Sequence, residues 1–535
     1  MKQKTKKIAI IIAFCLVVSF GIFGIFALQS LNMTIGGNLD FEADGISFTV
    51  NSAAFYESNG TTPYTGITDQ TGKMQGFSMD TDKKASAVTT ETDTWKGLRL
   101  KLDDRGDALL KFNIKNDMTD KDLYVLFEAT LDENATNMEI TSTTWDCIPK
   151  NTNKDIVITF DILDIAYTAR VDAFKIKITL TELVKADPTT GLVTNQTSTV
   201  LTNSKYTILS EADKTATVEA SSEDIEGEVV IVDKVNIGGT DYAVTEVSDY
   251  GFCEIQGITR VFIPGSVKTI GLLGFYFCPM LEVIEFSEGL QTICDSAFAD
   301  LYHYSRDIHL PDSLVTLEEA AFENLAQHLN NSGDVIHVTF GENLQSIGRR
   351  CFDASGVGGD IILKGKVKTI AQSAFNNYAI TSIYIPKSVT TIEDEALGSG
   401  LETIEVESGN SVYKSTGNCL IETSTKRLMK ACPSSIIPND GSVTTIGIDA
   451  FSSGKFKYIT LPSKITKIEE RAISFCRNLV EIVVEATTPP TIVLGSSTPF
   501  DDTNECPIYV PSAKVATYKA ANGWTVVASR IMANV

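Results

Sequence analysis

The sequence predicts a mainly β protein, with an N-terminal β-sandwich, then a β-solenoid of stacked repeats, and a short helix in its C-terminal cap. Two observations carry this prediction. Strand-length runs alternate apolar and polar residues before residue 185, and further on a segment of mostly 22 to 24 residues recurs in one frame. Apolar residues make up 43% of the 535 residues, enough to fill packed cores. The net charge of −23 opposes nucleic-acid binding, because no basic block after the first seven residues offsets it.

Residues 1–30 have the features of a signal peptide or an N-terminal membrane anchor. Four lysines precede an uncharged apolar run at residues 8–28, which is close to the roughly 20 residues that span a bilayer. Ala27 and Ser30 offer poor cleavage sites, which favours the anchor. We therefore expect an extracellular or cell-surface chain, touching the membrane through this segment only, if it stays uncleaved, with its C-terminus outside.

Residues 31–185 carry no repeat and predict the β-sandwich, with its strands antiparallel. Runs such as "DALLKFNIKND", "LYVLFEATLD" and "FKIKITLTEL" alternate over strand length between clusters of turn-forming residues. Residues 186–204 are polar and rich in threonine, which is typical of a linker.

Nine units of one pattern fill residues 244–490. Most have apolar residues at the start and three residues later, a small residue followed by Phe, and a closing strand; the units begin at Val244, Val267, Leu290, Leu314, Leu344, Val367, Val389, Val443 and Ile465. A single unit leaves an apolar face open that the next unit covers, so the array needs caps. We predict an upstream cap of two hairpins at residues 205–243, and a downstream cap at residues 491–535. The downstream cap has a strand and a helix starting near Ser512, with Gly523 at the helix C-terminal end.

The motifs "VKTI", "SAF" and "IYIPKS" resemble the BspA-like leucine-rich repeats of bacterial surface proteins, from about residue 205 to the end. The resemblance implies a leucine-rich-repeat solenoid and a surface protein that binds molecules of a host or a neighbouring cell. Leu397 and Ile473 depart from the pattern by replacing the usual Phe, and a long insertion after Glu407 looks like a hairpin elaboration of that family.

The closing strands predict a binding face, because alternate side chains of a strand point to opposite sides. Two outward columns follow from the frame: Arg260, Val283, Asp307, His337, Asp360, Ser382, Thr403, Tyr458 and Glu481; and Phe262, Glu285, His309, Thr339, Ile362, Tyr384, Glu405, Thr460 and Val483. Nine regular rungs would span roughly 40 Å, which suits a macromolecule. The candidate residues are Arg260, Phe262, Glu285, Asp307, His309, His337, Ile362, Tyr384 and Tyr458, with the three aromatics as anchors. The alternative is an ordinary solvated sheet face.

Arg105, Gly106 and Asp107 resemble the integrin-binding RGD motif and form a candidate cell-attachment site. The alternative for this tripeptide is a glycine turn between two strands.

The cysteines and histidines predict structural roles. Cys278 and Cys476 follow the Phe position of their units by three residues, a spacing that predicts buried thiols; Cys419 and Cys432 in the insertion could form a disulfide instead. His303, His309, His328 and His337 suggest only a surface pair, so we predict no metal site, and a metal would need three or four converging ligands.

We predict no catalytic residues and no cofactor, because no nucleophile, zinc or phosphate-binding motif lies in its required context. The expected function is recognition of an extracellular protein or glycan by the repeats. A structural matrix or fibre subunit is one alternative, and a secreted hydrolase active in the N-terminal β domain is another.

Overall fold

The computed structural model describes residues 33–43, 48–57, 93–102, 108–119, 121–131, 138–142, 145–162, 170–196, 198–331, 333–452, 454–495 and 497–534. Residues 1–30 and the tripeptide Arg105, Gly106 and Asp107 lie outside these ranges, so the signal or anchor and the cell-attachment motif stay predictions. No helix within the described ranges is both long enough and apolar enough to cross a membrane. The chain divides into two compact units between Leu183 and Val184.

Within the described ranges, the first unit contains nine strands in two sheets. Strands β1 to β9 are Met33–Ala43, Phe48–Glu57, Asp93–Leu102, Ala108–Asn116, Leu123–Leu131, Met138–Ser142, Trp145–Ile148, Asn153–Ile162 and Arg170–Thr181. One sheet has the order β3-β1-β9-β5-β7 and the other β2-β4-β8-β6. The sequence predicted a purely antiparallel arrangement, but β1 and β9 pair in parallel, so the first sheet is mixed. The packing of the two sheets as a sandwich stays a prediction.

The alternation that predicted these strands is visible in the burial of β8. Ile156, Ile158 and Phe160 are buried, whereas Val157 and Thr159 between them are partly exposed. This period of two is that of a strand with one face on a core.

The stretch predicted as a linker, residues 186–204, is paired into the second unit. Strand β10 (Lys185–Ala186) pairs in parallel with β14 (Lys234–Ile237). Helix α1 (Thr199–Thr202) follows and buries Val200 and Leu201. The polar, threonine-rich composition of this stretch did not predict the pairing, because the partner strand β14 lies about 50 residues further along the chain.

The upstream cap contains the two predicted hairpins. Strands β11 (Ser204–Ser210) and β12 (Thr215–Ala220) form one, and β14 with β15 (Thr240–Val247) forms the other. Between them lies β13 (Glu226–Val230), which the sequence did not predict and which pairs in parallel with the first repeat.

Each repeat supplies two strands. In eight units the first is a two-residue strand from the "VKTI" motif; these are β17 (Thr269–Ile270), β19 (Thr292–Ile293), β21 (Thr316–Leu317), β23 (Ser346–Ile347), β25 (Thr369–Ile370), β27 (Thr391–Ile392), β32 (Thr445–Ile446) and β34 (Lys467–Ile468). The unit from Val244 supplies the end of β15 instead, and the downstream cap adds β36 (Thr491–Ile492) as a further rung. These two-residue strands pair in parallel, residue for residue, from β17 to β27 and again from β32 to β36, as in Thr269 with Thr292 and Ile270 with Ile293. This constant register confirms the predicted frame.

The second strand of each repeat is a face strand. The face strands are β16 (Gly257–Ile263), β18 (Val283–Phe286), β20 (Ile308–His309), β22 (Val338–Thr339), β24 (Gly359–Ile362), β26 (Ile380–Ile385), β28 (Thr403–Val406), β33 (Tyr458–Leu461) and β35 (Glu481–Val484).

The Phe of six units forms a continuous stack in the core, here called the phenylalanine ladder: Phe252, Phe275, Phe298, Phe322, Phe352 and Phe375. Successive ring centroids lie 4.9 to 5.6 Å apart, with planes within 9° of parallel. The ladder ends where Leu397 replaces the aromatic ring.

The turns that carry the ladder bond to one another through their backbones. The N–H groups of Leu273, Phe275 and Phe277 donate to carbonyl oxygens of the next turn at 3.0, 2.8 and 3.1 Å. Leu273 and Phe277 have φ values of 54° and 50°, a left-handed conformation that is costly for residues with a Cβ. Hydrogen bonds to the neighbouring turn offset that cost, so each turn depends on the next one for its shape.

The insertion after Glu407 forms the antiparallel strands β29 (Tyr413–Thr416), β30 (Cys419–Glu422) and β31 (Arg427–Ala431). Strand β31 then pairs in parallel with β32, so the insertion supplies one rung of the two-residue ladder. The Tyr413 hydroxyl accepts a hydrogen bond of 2.8 Å from the backbone N–H of Ile392, in the last rung before the insertion.

The downstream cap contains the predicted strand and helix, β37 (Ile508–Pro511) and α2 (Val515–Ala520), with short 3-10 turns on both sides of the helix. Gly523 has a φ of 77°, and a Cβ there would lie 2.7 Å from the Ile492 side chain. Trp524 closes the core and donates from Nε1 to the Pro490 carbonyl at 2.8 Å. A last strand, β38 (Ile531–Asn534), pairs in parallel with β37 and was not predicted.

Candidate binding face

The face strands bury one side and leave the other side outward, as the frame requires. Val261, Ile361, Ile383, Ile459 and Ile482 are each at most 2% exposed. Their neighbours in sequence therefore make the outward surface, because successive side chains alternate.

The outward residues align in the predicted columns. The register pairs Arg260 with Val283, Phe262 with Glu285, His309 with Thr339, Asp360 with Ser382, Ile362 with Tyr384, Ser382 with Thr403, Tyr384 with Glu405, Tyr458 with Glu481, and Thr460 with Val483.

The columns do not form one continuous sheet of nine rungs. The face strands pair in four separate groups: β16 with β18, β20 with β22, β26 with β24 and β28, and β33 with β35. The insertion explains the last gap, because Ser415 and Asn418 accept hydrogen bonds of 3.0 Å from the backbone N–H groups of Val406 and Ile404. The expectation of regular rungs over the whole array was therefore wrong.

Phe262 was predicted as an exposed anchor but is only 4% exposed. The unpredicted cap strand β13 lies beside β16 and pairs Val230 with Phe262, and the N–H of Ile231 donates to the Phe262 carbonyl at 3.2 Å. Phe262 thus belongs to the contact between the cap and the first repeat, and it is no candidate for binding.

Arg260 and Glu285 neutralise each other at the upstream end of the face. The Arg260 guanidinium forms an ion pair with Glu285 on β18 and lies 3.7 Å from a Glu228 oxygen on β13. These charges link adjacent strands, so they offer little to a partner.

The histidines of the face make only pairwise contacts. The His337 backbone N–H and ring Nδ1 lie 2.8 and 3.3 Å from Asp307 Oδ1, and His309 Nδ1 lies 3.3 Å from Thr339 Oγ1. Within the described ranges, no group of three or more His, Cys, Asp or Glu side chains is placed to hold a metal ion.

A shallow depression of about 310 Å³ lies on β24, β26 and β28. Its outward side chains are Asp360, Ile362, Ser382, Tyr384, Thr403 and Glu405. Ile362 is 57% exposed, and Tyr384 beside it is partly exposed. We call these six residues the central depression.

Tyr458 forms a separate outward position beyond the insertion. It is 62% exposed on β33 and pairs across the sheet with Glu481. The predicted aromatic positions therefore yield one partly exposed site, Tyr384, and one exposed site, Tyr458, on either side of the insertion.

A polar cleft beside the insertion was not predicted. Arg427 lies 2.6 Å from an Asp394 oxygen and 2.8 Å from a Glu469 oxygen, and so joins repeats on the two sides of the insertion. Burial disfavours ionisation of Glu469, but hydrogen bonds from Lys467 and Arg427 outweigh it and lower the pKa of this carboxyl. Only the acidic residues that follow the "VTTI" and "ITKI" motifs signal this network in the sequence.

The cysteines follow the structural prediction. The thiols of Cys278 and Cys476 donate to the carbonyl oxygens of Phe252 and Phe451, both at 3.1 Å. Burial raises the pKa of both thiols to about 12. Cys419 and Cys432 are buried free thiols, so the alternative disulfide is not formed.

Several solved structures are similar to this chain. A leucine-rich cell surface protein of Faecalibacterium prausnitzii A2-165 is 22% identical with a TM-score of 0.41, over 62% of this chain and 97% of the other. The pneumococcal vaccine antigen PcpA is 16% identical with a TM-score of 0.35, over 62% and 96%. A leucine-rich repeat protein of Eubacterium ventriosum ATCC 27560 is 17% identical with a TM-score of 0.27, over 58% and 77%. At these identities and scores, no statement about function follows.

A search of the curated proteins finds no match. The family model for the BspA type leucine rich repeat region matches in six copies, over residues 233–329, 326–428 and 427–492. These matches cover the cap strand β14, all nine units and the insertion. Through residues 233–492, the chain belongs to the proteins with a BspA-type leucine-rich repeat region.

Proposed function

We propose that the chain is an exported bacterial surface protein whose repeats, folded as a solenoid behind an N-terminal β-sandwich, bind an extracellular protein or glycan. It acts by recognition and not by chemical turnover. The BspA-type repeat region supports a surface location, since proteins of this type are bacterial cell surface proteins. The net charge of −23 supports a partner other than nucleic acid.

The exposed apolar side chains on the face strands are the observation that carries this proposal. Ile362 and Tyr458 expose more than half of their surface, although each belongs to a strand whose other side is buried. Tyrosine is among the residues that dominate the binding energy of interfaces, because it buries a large area at little entropic cost. Tyr384 lies on β26, which pairs with β24 on one side and β28 on the other, so its backbone is held in place before a partner arrives.

Binding of the full exported chain to a panel of extracellular-matrix proteins and glycans tests the proposal. We expect at least one ligand whose affinity falls at least about tenfold on Tyr384→Ala or Tyr458→Ala, since truncating a residue that dominates an interface costs about 2 kcal/mol or more. Tyr250→Ala is the matched control, because Tyr250 is 57% exposed but lies in a turn of the first repeat, away from the face strands. Equal binding by all three variants would exclude the face strands as the binding surface.

Light scattering separates recognition from self-assembly. A monomer at high concentration is expected for a recognition protein, whereas a matrix or fibre subunit would scatter increasingly as its concentration rises.

A further inference from the structure

We propose that the central depression binds a basic segment of a partner polypeptide, with lysine or arginine stems on Ile362 and Tyr384 and their cationic ends at Asp360 and Glu405. This inference rests on the proposed function and narrows its partner to one charge class.

The register places the two carboxylates on either side of the tyrosine. Asp360 and Ile362 lie on β24, Tyr384 on β26, and Glu405 on β28. Adjacent strands are about 4.8 Å apart, so the carboxylate-bearing strands are separated by roughly 10 Å with the Tyr384 strand between them. A stem that crosses Tyr384 can reach a carboxylate on either side.

The two carboxylates have no cation of their own. Asp360 accepts a hydrogen bond from the Ser382 hydroxyl at 2.6 Å, and neither Asp360 nor Glu405 forms an ion pair with any residue that the structure describes. An exposed acidic site without an internal counter-ion attracts a cation from a partner.

The lysines nearest along the chain are already engaged elsewhere. Lys387, which follows β26, lies 3.0 Å from Glu407, and Lys364, which follows β24, lies 3.3 Å from Glu342. The depression therefore keeps two uncompensated negative charges.

The apolar floor favours lysine and arginine over a simple metal cation or a small polar ion. Their methylene stems cover apolar surface while the charged end stays polar, and a guanidinium also stacks on a tyrosine ring. The net charge of −23 adds a long-range attraction for basic partners and repels anionic polymers.

Fluorescence anisotropy with a labelled oligo-arginine peptide tests this inference on the full exported chain. A glycine-serine peptide of equal length and an uncharged oligosaccharide serve as the other probes. We expect oligo-arginine to bind in preference to both, and its affinity to fall as salt is added. The double substitution Asp360→Asn with Glu405→Gln should weaken binding about tenfold and flatten the salt dependence.

The control is Glu223→Gln with Asp224→Asn, which removes the same two charges from exposed residues of the upstream cap. It should change binding less than about twofold, because charges beyond a screening length contribute little. Equal weakening by both double variants, or no binding of oligo-arginine to the unaltered chain, overturns the inference.

The outcomes for the two proposals are distinct. One panel ligand could lose affinity on Tyr384→Ala while its affinity does not change with salt or with the Asp360 and Glu405 substitutions. That result would support the proposed function and overturn this inference. Tyr384-dependent binding of the uncharged oligosaccharide in place of oligo-arginine would do the same, and would point to a glycan.

Discussion

Replacing Phe298 with alanine should break the phenylalanine ladder at one rung. Phe298 is 0% exposed, and its ring stacks on Phe275 and Phe322 at centroid distances of 5.3 and 5.5 Å. Phe286 also meets it edge-on at 5.6 Å. Truncating a buried Phe to Ala costs about 3–5 kcal/mol, and rigid stacking on both sides limits collapse into the cavity. We expect a loss of about 4 kcal/mol in the local free energy of opening.

Hydrogen exchange of the full chain, read by mass spectrometry, localises this loss. In a repeat array, each unit contacts mainly its neighbours, so the opening free energy of β17, β19 and β21 should fall most. The strands beyond the insertion, β33 and β35, should change by less than about 0.5 kcal/mol, because they share no partners with Phe298.

Phe456→Ala is the matched control for position. Phe456 is buried beyond the insertion and packs edge-on against Phe451 at 5.1 Å, so its loss should appear in β33 and β35 and spare β19. An even loss of protection over the whole repeat region in both variants, or a change below about 1 kcal/mol at β19, would refute the reasoning.

Three further predictions concern buried polar contacts. Burial raises the pKa of the Cys278 thiol from its ordinary 9.0 to about 12, so the thiol of the unfolded chain loses its proton at a lower pH than the folded one. The free energy of unfolding, measured by denaturant titration, should therefore fall between about pH 9 and 12, and it should fall less steeply in Cys278→Ala. Tyr413→Phe leaves the Ile392 N–H without its hydrogen-bond acceptor, so hydrogen exchange should show the opening free energy of β27 lowered by about 1–3 kcal/mol. Tyr458→Phe is the control and should leave the opening free energy of β27 unchanged. Arg427→Met leaves Asp394 and Glu469 without this cation, and we expect a loss of about 1–3 kcal/mol and a thermal midpoint that recovers as pH falls toward 4.

The repeat frame could be predicted because each unit obeys local rules. Apolar spacing alone placed Ile270 inward and Tyr384 outward, and the shared frame of the units fixed which residues pair between strands. The C-terminal helix was visible for the same reason, with a strand before it and Gly523 after it.

The errors arose where distant segments meet. Phe262 occupies an outward position in its unit, but the cap strand β13 lies beside it. No local sequence pattern predicts the pairing of β13 with β16. The insertion likewise interrupts the face, and its strand β31 supplies a rung beside β32; its hydrogen-bond partners on β28 are 9 or more residues away. The parallel pairing of β1 with β9 joins segments more than a hundred residues apart and is equally invisible to a local pattern.

Arg427 has a mechanical consequence for a chain pulled by its two ends. Two-residue strands hold neighbouring turns with few hydrogen bonds, and a load along the array stretches these bonds one turn at a time. At the insertion, β28 and β33 do not pair, so the face strands do not resist separation of the turns at that joint. Arg427 forms ion pairs with Asp394 on one side of the joint and Glu469 on the other, so its guanidinium resists that separation.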